Sequence, residues 1–203
     1  MEDSQATLAN WRLPPFNRAA FSKVREIMPT ASISWNKGSA VKDKEPKNRK
    51  LTVKVKENEE IGLDEFLNQT TVDAFQVSHR GKNVYTWNSH YCSSSTPHII
   101  FSVSKSLTAL LVGCVIDEGL VTEETLVSQV IPEAKGSAFE DASVRNLLDM
   151  SVSSNFTEDY EATSGIFLDY RQSTGWNPQN IDDTSHLKSF LLSLKKNTHR
   201  HGE

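Results

Sequence analysis

The uncharged run from Ser106 to Ile116 constrains this chain more than any other stretch. It is too short to span a bilayer, which takes about 20 apolar residues, and long enough for a core helix. Leu107, Leu110, Leu111, Cys114 and Val115 fall on one helical face. Ala109, Val112 and Ile116 make most of the remaining surface apolar too, so the spacing predicts a helix buried on most sides, with Cys114 as a small buried thiol. The helix is expected to run to about Glu118 and to close at Gly119.

The residues that open this helix carry a possible chemistry. The apolar run Ile99-Ile100-Phe101 ends at Ser102, and Lys105 follows three residues later. Side chains at i and i+3 share a helix face, so the Lys105 amine can reach the Ser102 hydroxyl. A hydroxyl becomes a useful nucleophile when a base takes its proton, and a buried lysine can be that base. Backbone N–H groups at the helix N-terminus would face a developing oxyanion. The competing reading of Ser102 is a helix cap. The pattern S-x-x-K occurs five times, at Ser34, Ser39, Ser102, Ser185 and Ser193. Only the Ser102 copy lies between an apolar run and an apolar helix.

Composition narrows the alternatives. The 203 residues suffice for one large domain or two small ones, and 37% are hydrophobic, so part of the chain is rich in surface or loop. A net charge of −4 argues against a general nucleic-acid binder. The Met1-Glu2-Asp3-Ser4-Gln5 start lacks the features of a signal peptide, and two cysteines make no disulfide framework, so the cytoplasm is the expected compartment. No nucleic-acid or membrane partner is expected.

Taken in order, residues 1–33 form an opening segment with a short helix: Asn17 as cap, Phe21, Val24 and Ile27 at helical spacing, and Pro29 as stop. Residues 34–60 are a charged loop, with Lys37, Lys42, Lys44, Lys47, Arg49 and Lys50, that includes an expected edge strand at 51–56. Residues 61–203 form the main domain. A helical turn at 63–68 precedes two strands, 72–79 and 83–87, joined around Arg80-Gly81-Lys82 as a hairpin. Residues 88–98 read as a polar loop, whose His90 and His98 are structural or solvated, with a triad histidine as the lesser alternative. A short piece at 122–131 ends at Pro132. Asp141 or Ser143 caps a helix from Val144 to Met150, with Leu147 and Leu148 inward. Residues 151–183 read as loop, whose aromatics either wall a pocket or plug onto the core. Leu187, Phe190, Leu191 and Leu194 mark a last helix. His199 and His201 lack a third metal ligand and read as a frayed end, so no metal or cofactor is expected.

At Ser102 the motifs join a family. Phe101-Ser102-Val103-Ser104-Lys105-Ser106-Leu107-Thr108 resembles the nucleophile motif of serine β-lactamases and penicillin-binding proteins. Pro14-Pro15-Phe16-Asn17-Arg18, Glu118-Gly119-Leu120, Ile131-Pro132-Glu133, Val144-Arg145-Asn146-Leu147-Leu148-Asp149-Met150, Glu158-Asp159-Tyr160 and Gly175-Trp176 resemble segments of the class C type, in its 6-aminohexanoate-dimer hydrolase branch. The resemblance implies an α/β (α+β) fold: an antiparallel sheet flanked by helices plus a helical region. It implies a serine hydrolase of an amide or ester, acting through a Ser102 acyl-enzyme with Lys105 as base. It implies substrate contacts from Tyr160 and Trp176. The family's Y-x-N tyrosine and K-T-G-like strand fall beyond Glu203, so the chain is expected to be the first part of such an enzyme, lacking C-terminal sheet strands. The alternative is a non-catalytic fragment, pseudoenzyme or interaction module of the same fold.

Overall fold

The computed structural model describes residues 5–33, 50–179 and 186–203. The expectations placed on Ser34, Ser39, Ser185 and the lysine-rich segment up to Arg49 lie outside the described residues. Two compact units divide the chain, residues 1–99 and residues 100–203.

The first unit opens with helix α1 (Asn17–Ala20) and a single tight turn at Val24–Glu26. The longer helix expected here is interrupted after Ala20, and Asn17 is its first residue rather than its cap. Strand β1 (Thr52–Lys56) matches the expected edge strand and pairs antiparallel with β2 (Glu59–Gly62), setting Val53 opposite Ile61 and Lys54 opposite Glu60. Sequence reading missed β2 because Ile61 is its single large apolar residue. Helix α2 (Leu63–Gln69) follows directly and buries Leu67.

Strands β3 (Ala74–His79) and β4 (Lys82–Asn88) form the expected hairpin. Arg80 and Gly81 turn it with φ +50° and +72°, the left-handed pair that matches strand twist in a two-residue loop. The register sets Phe75 against Trp87 and Val77 against Tyr85. Tyr85 is fully buried, and its hydroxyl donates to Asp64 of α2. Burial, and then the neighbouring Asp64 carboxylate, push the Tyr85 phenol up to about 12. Among the described residues each hairpin is a two-stranded sheet with no further strand beside it.

The segment after β4 is irregular, as expected, but anchored. His98 Nε2 meets Asp73 at 3.0 Å, Arg18 meets the same carboxylate at 3.3 Å, and the Ile99 N–H donates to the Phe21 carbonyl at 2.9 Å. These bonds join the first helix, the start of the hairpin and the stretch leading to residue 100.

The second unit begins with α3 (Val103–Asp117). Gly119, at φ +72°, closes it, with the Gly119 N–H donating to Ile116 and the Leu120 N–H to Val115. Helix α4 (Val127–Val130) and a turn at Pro132–Ala134 follow, then α5 (Val144–Leu148). Ser143 is the cap of α5, accepting from the Asn146 N–H while Asn146 reaches back. Helix α6 (Ile166–Ser173) lies inside the stretch expected to be loop, and α7 (Leu187–Ser193) is the expected last helix.

The core of this unit lies among α4, α6 and α7. Val127, Ala134 and Ala142 pack with Phe139, Val152 and Leu192, while Ala138, Phe190 and Leu194 pack with Phe156, Ile166 and Tyr170. Helix α3 contributes no buried residue, Leu110 is 69% exposed and Cys114 is exposed. The expectation of a buried helix and a buried thiol is therefore wrong for this chain: the pattern makes α3 fit for burial, but nothing described covers its outer face. Leu147, expected inward, is also exposed.

The C-terminus is not frayed. The His201 side chain is buried: its Nδ1 accepts from the Ser153 N–H at 2.9 Å, and its Nε2 donates to Asp141 at 2.9 Å. The Gly202 N–H donates to Ser151, and the Asn155 N–H to Lys195. Hydrogen bonds from Lys196 and then from His201 hold the Asp141 carboxyl at about 2, below its usual 3.8. A depressed carboxyl stabilises the fold fully above about pH 4 and loses that contribution as pH falls toward 2. Thermal unfolding followed from pH 5 to 2 is expected to show a shallower acid loss in Asp141→Asn. The difference should be modest, because Asp141 is solvent-exposed.

Candidate active site

The candidate site is the first turn of α3. Phe101, immediately before it, has φ +41°, a conformation that bulky side chains rarely adopt. Ser102 occupies the N-cap position, but its side chain makes no capping hydrogen bond. Instead Lys105 Nζ donates to Ser102 Oγ at 2.9 Å. The capping reading of Ser102 thus fails, and the i, i+3 pairing expected from spacing is present. Both side chains are exposed. The burial expected of a base lysine is not supplied by the described residues.

The other S-x-x-K copy within the described residues behaves differently. Ser193 donates to the Phe190 carbonyl, and Lys196 pairs with Asp141 at 2.5 Å. Serine and lysine in that copy are engaged elsewhere.

Trp176 is brought to the site through Phe101. The two rings meet edge to face, with centroids 5.7 Å apart and planes at 72°. Tyr160 is not brought to the serine–lysine pair by any described contact. It is 70% exposed, its hydroxyl donates to Glu158 at 3.0 Å, and its ring stands against Phe167 of α6 at 5.1 Å. The bond to Glu158, and then that carboxylate's charge, raise the Tyr160 phenol above its ordinary value.

Sequence reading missed two residues that shape this region. Phe101 was part of the motif, but its backbone conformation leaves no compositional trace. Arg171 was hidden because α6 read as loop. It is 8% exposed, its guanidinium donates to the Ala162 carbonyl near Tyr160, and its own carbonyl accepts from the Trp176 N–H at 2.8 Å. A separate apolar cavity of about 300 Å³ lies along α3 against α4 and α5, lined by residues such as Leu111, Val115, Val127 and Leu148. Ser102 and Lys105 do not line it. Among the described residues no group of three His, Cys, Asp or Glu side chains is placed to hold a metal ion.

A model of the beta-lactamase family matches residues 64–183. The chain belongs to the beta-lactamase family. Within it, the chain is 31% identical over 194 residues to the 6-aminohexanoate-dimer hydrolase of Paenarthrobacter ureafaciens, covering 94% of this chain and 47% of that protein. A solved Bacillus anthracis structure carrying the same hydrolase name superposes with a TM-score of 0.82 at 21% identity, over 97% of this chain and 52% of that one. At that identity the likeness speaks for the fold, a beta-lactamase-like mixed α/β arrangement with small antiparallel sheets and several helices. The chain spans about half the length of these relatives. No described helix is long and apolar enough to cross a membrane.

Proposed function

We propose that this chain carries the nucleophile of a serine hydrolase acting on a small amide or ester. The observation that carries the reading is the Ser102 hydroxyl, free of its capping role and 2.9 Å from Lys105 Nζ. In the acylation step a neutral Lys105 amine takes the Ser102 proton as Oγ bonds to the carbonyl carbon. Backbone N–H groups at the start of α3, that of Ser102 among them, stabilise the oxyanion. Collapse of the tetrahedral intermediate breaks the bond to the amine or alcohol, which leaves with the proton held by Lys105. Water then hydrolyses the acyl-enzyme. The name of the Paenarthrobacter relative, a hydrolase of a 6-aminohexanoate dimer, supports an amide as the substrate class. Tyr160 and Trp176 are assigned to the substrate side, on the resemblance of their motifs.

A second reading is favoured by the exposed Lys105 and the uncovered face of α3: a non-catalytic chain of the same fold. Intact-mass spectrometry after incubation with a fluorophosphonate separates the two. Attack by Ser102 Oγ on phosphorus expels fluoride and leaves one adduct. One adduct per chain, absent from Ser102→Ala, is the expected result. A folded chain that takes no adduct would replace the first reading with the second.

A further inference from the structure

We propose that Trp176 is a positioning residue for Ser102, acting through Phe101. The inference deepens the serine–lysine reading and rests on it for its consequence, while its test reads local geometry alone.

The argument starts from the strained residue. Phe101 holds φ +41° directly before Ser102. A phenylalanine stays in that region only where its surroundings over-determine it, and such strain gathers where a side chain must be aimed. The surroundings here include the Trp176 ring, edge-on to the Phe101 ring at 5.7 Å.

The Trp176 backbone is itself fixed by the end of α6. Gly175, at φ +72°, ends α6 with its N–H donating to Gln172 at 3.0 Å, and the Trp176 N–H donates to Arg171 at 2.8 Å. These two bonds form the Schellman closure of α6, which fixes the direction of the residue after the glycine. Arg171 is buried, and its guanidinium grips the Ala162 carbonyl. A well-anchored helix end thus presses a ring onto the turn that aims the serine, as a supporting shell should. Lys105 sits within α3, whereas Ser102 sits at its edge, where the Phe101 backbone sets its direction. Without the Trp176 ring Phe101 relaxes, and Ser102 Oγ loses its register with Lys105 Nζ.

The test replaces the hydroxyl with a thiol, Ser102→Cys, and measures iodoacetamide alkylation at that site by mass spectrometry. A thiol that can pass its proton to a neighbouring lysine amine forms thiolate more readily, so its rate reports the distance to Lys105 whether or not the chain hydrolyses anything. Cys114, exposed further along the same helix, is the internal control for helix integrity. Adding Trp176→Ala is expected to slow alkylation at position 102 by about fivefold or more and to move its pH midpoint upward, with Cys114 unchanged. Trp176→Phe, which keeps an aromatic edge, should stay within about twofold of the parent. In a Phe101→Gly background, where the backbone pays little for positive φ and no ring remains to be held, Trp176→Ala should change the rate by less than about twofold. An unchanged rate in Trp176→Ala would overturn the proposal. So would an equal loss with and without Phe101→Gly, or a loss that Cys114 shares while Trp176→Phe fails to restore it. The hydrolase reading fails separately, when native Ser102 takes no fluorophosphonate.

Discussion

Replacing Lys105 by Ala is expected to slow fluorophosphonate labelling of Ser102 by about 10²–10⁴-fold, the usual range for loss of a general base. The unfolding midpoint should stay put, because Lys105 is exposed and its described partner is the Ser102 hydroxyl. The two readouts together matter. A drop in labelling with a lowered midpoint would point to a damaged helix start, whereas a drop alone assigns the lysine a role in the chemistry. Lys105→Arg sharpens the result. Arginine keeps the positive charge but does not give up its proton, so it can hold an oxyanion nearby yet cannot accept the serine proton. If arginine retained the rate, electrostatic stabilisation would be the lysine's contribution and the base would have to be sought elsewhere. If Lys105→Ala itself retained it, the 2.9 Å hydrogen bond would be a feature of the helix start without chemical consequence.

The serine–lysine pair was legible in the sequence because helical spacing is a strict geometric rule, and it needed only a helix to start at Ser102. The β3–β4 hairpin was legible for a similar reason: Arg80-Gly81 supplies the positive-φ pair that a two-residue turn demands. Glycine at position 119 likewise fixed the end of α3. The missed elements lacked such local codes. Strand β2 has one apolar side chain to mark it, and α6 opens on the unbroken apolar run Ile166-Phe167-Leu168 within a polar stretch, which shows no helical period. His201 was misread for another reason. Its partners Asp141 and Ser153 lie 60 and 48 residues away, and no local pattern announces a bond across that distance. Phe101 shows the deepest limit, since a positive backbone angle at a phenylalanine has no sequence signature at all.

The contrast between α3 and α7 gives the second large expected effect. By pattern alone Leu110 is a core residue, yet it is 69% exposed, whereas Phe190 is 8% exposed. Phe190 packs on Ala138 and Leu194, with the rings of Phe156 and Tyr170 at 6.1 and 5.9 Å. Phe190→Ala should therefore cost about 3–5 kcal/mol, transfer and cavity combined. That is a large share of the roughly 5–15 kcal/mol that stabilises an ordinary domain, and the second unit has a small core to begin with. Leu110→Ala should change stability by no more than about 0.5 kcal/mol, as surface substitutions do. Urea unfolding of both variants in this chain decides the matter. A Leu110→Ala loss of about 2 kcal/mol or more would mean that α3 is covered in solution, by a second copy or by another segment. Equal and small losses at both positions would mean that the second unit has no fixed core around α7. The expected result, a large loss at Phe190 and almost none at Leu110, makes the serine helix a finished scaffold at its N-terminal turn and an open apolar surface along its length.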